Sequence, residues 1–358
     1  MRAIPIEYIK EGQELAETLY TNTGTVLIKK GALLSKKLIG KIEENHIYTV
    51  YIKDKYSKND VTKMIETTLK HSGKKIIKEM FESIKRNRLN TSKDEFFEHY
   101  NKLLELFNDI SYELSSSSHM RIDYIDIKSM DDYLEGSALN TGILALLLGS
   151  YLGYNKDFQK ELFIAGVLHD IGLLFLPEDV LDKSKDLSME EKRMILHHPL
   201  DGYNFLKDRS YVSSYVKVSV LQHHEHIDGT GYPNRIASEE INDFAQIIGI
   251  TDIYDAMTSD RPYRRALPPS EAIEFLMGVT GRYFSSNISE TFISRVNPYP
   301  IGSLVELNTG DIAVVDEANP TLPLRPKISI IKESGDDFSL TPTNLIDNNN
   351  LVITNIHY

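Results

Sequence analysis

The chain has no cysteine. Disulfides and thiolate metal ligands are therefore excluded, and a thiol-free chain fits a reducing cytosol. It is also short of positive charge. Forty Lys and Arg stand against 52 Asp and Glu, for a net charge of −12. Non-specific phosphate binding needs a basic surface, so a general DNA or RNA binder is excluded. A small anionic ligand is not excluded, because local basic groups decide that. Long hydrophobic runs are missing as well. The longest, Ile143 to Leu148, falls far short of the roughly 20 residues a membrane span requires. The opening MRAIPIEYIKEGQELAE lacks a basic stretch followed by an apolar one, so no signal peptide is expected. These features predict a cytoplasmic protein.

What is present is ordinary for a globular chain. The 358 residues are 41% hydrophobic and 26% charged, and the length predicts two or three domains. Residues 1–55 read as a small mixed α/β module of regulatory type. Leu19-Tyr20 and Thr25 to Ile28 flank an Asn22-Thr23-Gly24 turn, a hairpin signal. Ser35 is placed to cap a helix running to Glu44. Residues 56–128 read as a helical linker or dimerisation segment. Apolar residues recur at helical spacing from Val61 to Arg88 and again from Phe96 to Leu114. Residues 129–297 are helical throughout, with apolar helices predicted over Leu139 to Leu152, Phe158 to Phe175 and Ile241 to Thr258. Residues 298–358 return to strand character as a small β appendage. A hairpin is predicted over Gly302 to Val315, and further strands over Ile328 to Ile331 and Leu351 to Ile356.

Chemistry concentrates in Leu221 to Pro233, LQHHEHIDGTGYP. Three of the chain's 11 histidines, His223, His224 and His226, fall within four positions. Glu225 and Asp228 accompany them, and a Gly-Thr-Gly-Tyr-Pro turn follows. Imidazoles and carboxylates at the mouth of a loop are what a metal site needs. His169 and Asp170 lie side by side in an apolar stretch. Burying such a pair needs a partner, and a cation supplies one. Asp252 and Asp255, three apart, share one helix face. Arg261 and Arg264 follow that helix. Each offers a bidentate fork for phosphate or guanine, or simply a charge at a helix C-terminus. Lys183 is a further phosphate candidate.

The ordered set His169-Asp170, His198-Pro199, His223-His224-Glu225, Asp228 to Pro233, Asp252 to Ala256 and Arg261 to Arg264 resembles the HD-GYP domain, a branch of the HD metal-hydrolase superfamily. The resemblance covers roughly residues 130–297. It implies a mainly α fold with an HD-superfamily helical core. It further implies a metal-dependent phosphodiesterase that hydrolyses cyclic di-GMP to the linear dinucleotide, GMP or both. By the family pattern, His169, Asp170 and Asp252 hold one divalent ion. Asp170 bridges to a second, held by His198, His223 and His224, and positions the attacking hydroxide. Iron or manganese suits such thiol-free donors. Gly229, Gly231, Tyr232 and Pro233 are expected to dock partner signalling proteins, and the helical segment before the core makes a homodimer plausible.

Two positions depart from the pattern. Ser137 stands where the family has a histidine, with Tyr133 where some members add a glutamate and Glu135 offset from it. Leu173 stands where the family has a lysine, which removes a cation from the phosphate. Two functions remain open. One is an active phosphodiesterase of reduced turnover, with water or Glu135 filling the gap. The other is a domain that binds cyclic di-GMP or a partner protein and signals without hydrolysis.

Overall fold

The computed structural model describes the chain apart from residues 1, 22–24, 46, 48, 54–55, 57–64, 88–92, 117–121, 124–132, 182, 184–186, 260–265 and 335–336. The chain opens with β1 (Arg2–Pro5), β2 (Glu14–Leu15), β3 (Leu19–Tyr20), β4 (Val26–Ile28), α1 (Lys36–Glu44) and β5 (Thr49–Lys53). β5 is the centre of an antiparallel sheet ordered β1-β5-β2, and β3 pairs with β4. The Ser35 side chain accepts from the Leu38 amide, as its residue type predicts for a helix start. Ile4, Leu15, Leu34, Ile42, Val50 and Ile52 form this module's own core.

Two long amphipathic helices follow, α2 (Thr67–Asn87) and α3 (Lys93–Ser116). The part of the expected first helix that precedes Ile65 lies outside the described residues. The apolar faces of both helices are consumed within the chain. Ile77, Met80, Phe81 and Ile84 of α2 and Leu103, Leu106, Phe107 and Ile110 of α3 belong to one core with the helices that follow. β6 (Ile122–Asp123) then leads into the helical body.

That body contains α4 (Tyr133–Tyr151), α5 (Lys156–Leu168), α6 (Glu178–Leu181), α7 (Met189–Leu196), α8 (His198–Leu206), α9 (Ser214–Gln222), α10 (Asp243–Thr258), α11 (Pro269–Val279) and α12 (Ser286–Arg295). It ends in β7 (Val296–Asn297), which pairs in parallel with β6. α4 is buried without interruption from Gly136 to Gly149 and packs against α2, α5 and α10. A helix apolar on every side belongs inside a core. α7 begins with a capping box between Ser188 and Glu191.

One predicted element is corrected. The apolar stretch from Phe158 to Phe175 is not one helix. α5 stops at Leu168, His169 and Asp170 form a turn, and Ile171–Phe175 is a 3-10 turn. The break has a packing cause. A Cβ on Gly172 would lie 1.9 Å from the His198 carbonyl oxygen. The backbones at the two ligand-bearing segments touch there, and a continued α-helix would separate them. Gly249 does the same for α9 and α10, since its Cβ would lie 2.5 Å from the His223 carbonyl oxygen.

The chain closes with β8 (Leu304–Leu307), β9 (Ile312–Glu317), β10 (Lys327–Ser334), β11 (Asp337–Asn344) and β12 (Ile353–His357). They form one antiparallel sheet ordered β11-β10-β9-β8-β12. β11 is the strand that the sequence reading missed. It is a half-exposed edge strand carrying Pro342, and such strands lack a strong apolar pattern. The mainly α architecture with a mixed N-terminal module and a C-terminal β appendage is thus observed. The two chain ends meet: Tyr8 stacks on Tyr358 at 5.1 Å between ring centres, and Arg2 donates to the His357 carbonyl at 3.1 Å.

Candidate metal centre

Six side chains converge where α5, α8, α9 and α10 meet. Asp170, His198, His223 and His224 form one group of possible ligands, and His169, Asp170 and Asp252 form another. Within each group the ligand atoms lie within 4.8 Å of one another. Asp170 belongs to both. Its Oδ1 is 3.0 Å from His198 Nε2 and 3.7 Å from His223 Nε2, while its Oδ2 is 3.3 Å from His169 Nε2. Asp252 reaches His169 Nε2 at 3.5 Å.

Helix ends orient these rings. His169 and His223 follow the last residues of α5 and α9, and His198 follows α7 by two residues. Carbonyls in a last helical turn lack intrahelical partners. Nδ1 of His169 donates to the Gly166 carbonyl at 2.7 Å, that of His198 to Ile195 at 2.7 Å and that of His223 to Val220 at 2.9 Å. Each bond assigns a ring proton to Nδ1 and turns Nε2 toward Asp170.

This arrangement fits divalent cations. Nε2 of His198 and Nε2 of His223 face each other at 3.3 Å, and two lone pairs at that distance repel unless a cation or proton lies between them. His169 Nε2 is fully buried and faces the Asp170 and Asp252 carboxylates at 3.3 and 3.5 Å. A buried nitrogen between two carboxylates needs a proton or a cation there. Burial pushes the His224 pKa well below the usual histidine value, helped by the neighbouring His223 and His198, and burial also lowers that of His223. Both rings stay neutral, the form that binds metal. For His169, burial opposes the charged form, yet Asp170 and Asp252 outweigh it and hold the pKa well above the usual value. Asp170 is held well below the carboxylate range. Burial works against this, and His169, His198 and His223 overcome it.

The rest of Leu221 to Pro233 divides in two. His226 faces away from the cluster and stacks on Tyr283 at 3.7 Å between ring centres. Glu225 is buried and holds the loop, its Oε1 accepting from the Asn234 and Arg235 amides at 2.6 and 3.1 Å. The expected docking residues differ in exposure. Gly231 is buried, and a Cβ there would lie 2.4 Å from the His226 nitrogen. Tyr232 turns inward and stacks on His224 at 4.6 Å. Gly229 and Pro233 are half-buried. Tyr232 is thus also a wall of the cluster.

The departing positions also have observed places. Ser137 Oγ donates to Asp255 at 2.8 Å and Asn140 Nδ2 donates to Asp255 at 3.0 Å. Asp255 thus ties α10 to α4, one helical turn from Asp252. Leu173 lies in the 3-10 turn, three residues after Asp170. Lys183 pairs with Glu191 at 3.0 Å. Arg261 and Arg264 lie outside the described residues.

Residues 122–288 match the HD domain family, and residues 304–357 match a KOW domain associated with the HD domain. The chain is 33% identical over 226 residues to the cyclic di-GMP phosphodiesterase PA4108 of Pseudomonas aeruginosa, covering 63% of this chain and 54% of the relative. It is 33% identical over 189 residues to the cyclic di-GMP phosphodiesterase PdeB of Borreliella burgdorferi, covering 52% of this chain and 50% of the relative. The chain spans about half the length of these curated relatives. Among solved structures it is similar to Bd1817, an HDG"Y"P protein from Bdellovibrio bacteriovorus. That likeness has a TM-score of 0.51 at 15% identity and covers 82% of this chain and 98% of the other. Residues 122–288 are therefore an HD domain. Its motif set is similar to that of the HD-GYP branch, and its relatives are cyclic di-GMP phosphodiesterases. No described helix is long and apolar enough to cross a membrane.

Proposed function

We propose that the protein is a metal-dependent phosphodiesterase that hydrolyses cyclic di-GMP to the linear dinucleotide, GMP or both. The observation that carries this is the pair of ligand groups sharing Asp170, with imidazole lone pairs converging on it. His169, Asp170 and Asp252 would hold one divalent ion, and Asp170, His198, His223 and His224 a second, with iron or manganese suited to these donors. Such ions, when bound, neutralise phosphate charge and make water a nucleophile at neutral pH. The chain's own residues supply the rest. Helix-end carbonyls fix the three rings, Asp170 orients groups at both positions, and Tyr232 closes one wall. Arg261, Arg264 and Lys183 are assigned to the nucleotide, and Gly229 and Pro233 to partner proteins. Residues 129–297 are taken as the hydrolytic unit, flanked by modules 1–55, 56–128 and 298–358. A cytoplasmic location goes with this reading.

A second reading has its own support. Ser137 spends its hydroxyl on Asp255, and Leu173 puts an apolar side chain where the family has a cation. A domain that binds cyclic di-GMP without turnover is compatible with both. One experiment separates the two. Protein purified without oxygen is assayed for metal per chain, then incubated with cyclic di-GMP and manganese or iron. Two ions and a linear product support the enzyme. Tight binding with no product supports the signalling domain.

A further inference from the structure

A cyclic dinucleotide carries two phosphates, and only one is at the reacting centre when its ester is cleaved. The other needs a cation of its own. Leu173 offers none. Arg261, Arg264 and Lys183 are assigned to the nucleotide, but Lys183 shares its charge with Glu191 at 3.0 Å.

Lys74 meets the need from outside the matched HD segment. It lies on α2, half-buried, while its neighbour Lys75 is exposed. Among the described residues it has no ion-pair or hydrogen-bond partner, in contrast to Lys70 and Lys78 on the same helix, which do interact. Its ammonium lies 3.8 Å from where a Cβ on Gly136 would stand. Gly136 adjoins Ser137, which bonds Asp255, and Asp255 is three residues from Asp252 of the metal group. Three residues along a helix is about 4.5 Å. α2 also packs on the 3-10 turn that carries Leu173. The ammonium therefore stands at the start of α4, next to the serine that bonds Asp255, on a helix that also packs on the turn in which the usual lysine is missing. A half-buried ammonium with no anion among the described residues loses solvation without compensation, and an arriving phosphate restores the balance.

We infer that Lys74 binds the phosphate of a cyclic dinucleotide that is not being cleaved. The inference rests on the proposed substrate class. It is tested with wild type, Lys74→Gln, Lys74→Glu and Lys74→Arg, all metal-loaded. Two measurements are made: calorimetric Kd for a non-hydrolysable phosphorothioate analogue of cyclic di-GMP, and turnover of the single-phosphate substrate bis(p-nitrophenyl) phosphate. Lys74→Gln should weaken nucleotide binding about tenfold, Lys74→Glu more, and Lys74→Arg about twofold or less. Turnover of the single-phosphate substrate should not change. Equal Kd values for wild type and Lys74→Glu overturn the role of Lys74 and leave the functional reading intact. A parallel loss of single-phosphate turnover also overturns it, by showing a general effect on the site. A wild type that cleaves the single-phosphate substrate but binds no cyclic dinucleotide overturns the substrate reading, and this inference with it.

Discussion

Ser137 Oγ lies 2.8 Å from Asp255 Oδ2, and both residues are buried. The serine is a tether between α4 and α10. Ser137→Ala should lower stability by about 1–2 kcal/mol, through loss of a buried hydrogen bond to a carboxylate. Metal content per chain should not move. Thermal denaturation with elemental analysis checks both, and a fall in bound metal would make the serine a ligand after all.

The two ligand groups predict graded losses. His198→Ala and His223→Ala should each remove one ion per chain and leave the group around His169 loaded. Asp170→Asn should empty both positions, because its carboxylate serves each. Elemental analysis of the three purified variants decides it. Equal metal loss in all three would mean a single indivisible site.

Tyr232 stacks on His224 and meets the edge of His198. Tyr232→Ala should weaken metal binding about 10- to 100-fold, the usual cost of losing support behind a ligand. Tyr232→Phe should keep it, since the stacking face remains. Competition with a chromophoric chelator measures both, and a Phe variant as weak as Ala would shift the role to the hydroxyl.

Away from the site, burial lowers the His99 pKa, and Lys102 adds to this against the nearby glutamates. Its Nδ1 is buried without a partner. The unfolded chain therefore takes up this proton first as pH falls. The stability contribution is complete above the unfolded value of 6.5 and declines as pH drops from there toward the folded pKa. Urea unfolding at pH 7.5 and 5.5 should show a smaller pH difference for His99→Gln than for wild type. An equal difference would remove His99 from the acid sensitivity.

Much of this architecture is legible from residue type and spacing. Ser35 and Ser188 announce their helices by side chains that accept from backbone amides. His198 stands before Pro199 and His223 before the Gly-rich turn, so both fall at helix ends where free carbonyls orient them. What was not legible depends on contacts distant in sequence. Nothing local in IAGVLHDIGLLF says that the helix stops at Leu168; the reason is His198, pressed against Gly172. His226 looks like its neighbours 223 and 224, but one further step in the turn sends it to Tyr283. Lys74 is one of many lysines on an amphipathic helix until α4 is packed beside it. Asp255 reads as a twin of Asp252 and is separated from it only by what each side chain meets.

Asp170 has one oxygen near His198 and His223 and the other near His169. A cation that settles on one side fixes the orientation of the whole carboxylate and thereby prepares or spoils the other side. Two ions held there would not bind independently. Loading would be a linked equilibrium, in which the affinity for the second ion depends on the first by the same factor in either order. At limiting metal the population should therefore divide unevenly between chains with none, one and two ions, and activity should follow metal supply with a slope that is not linear.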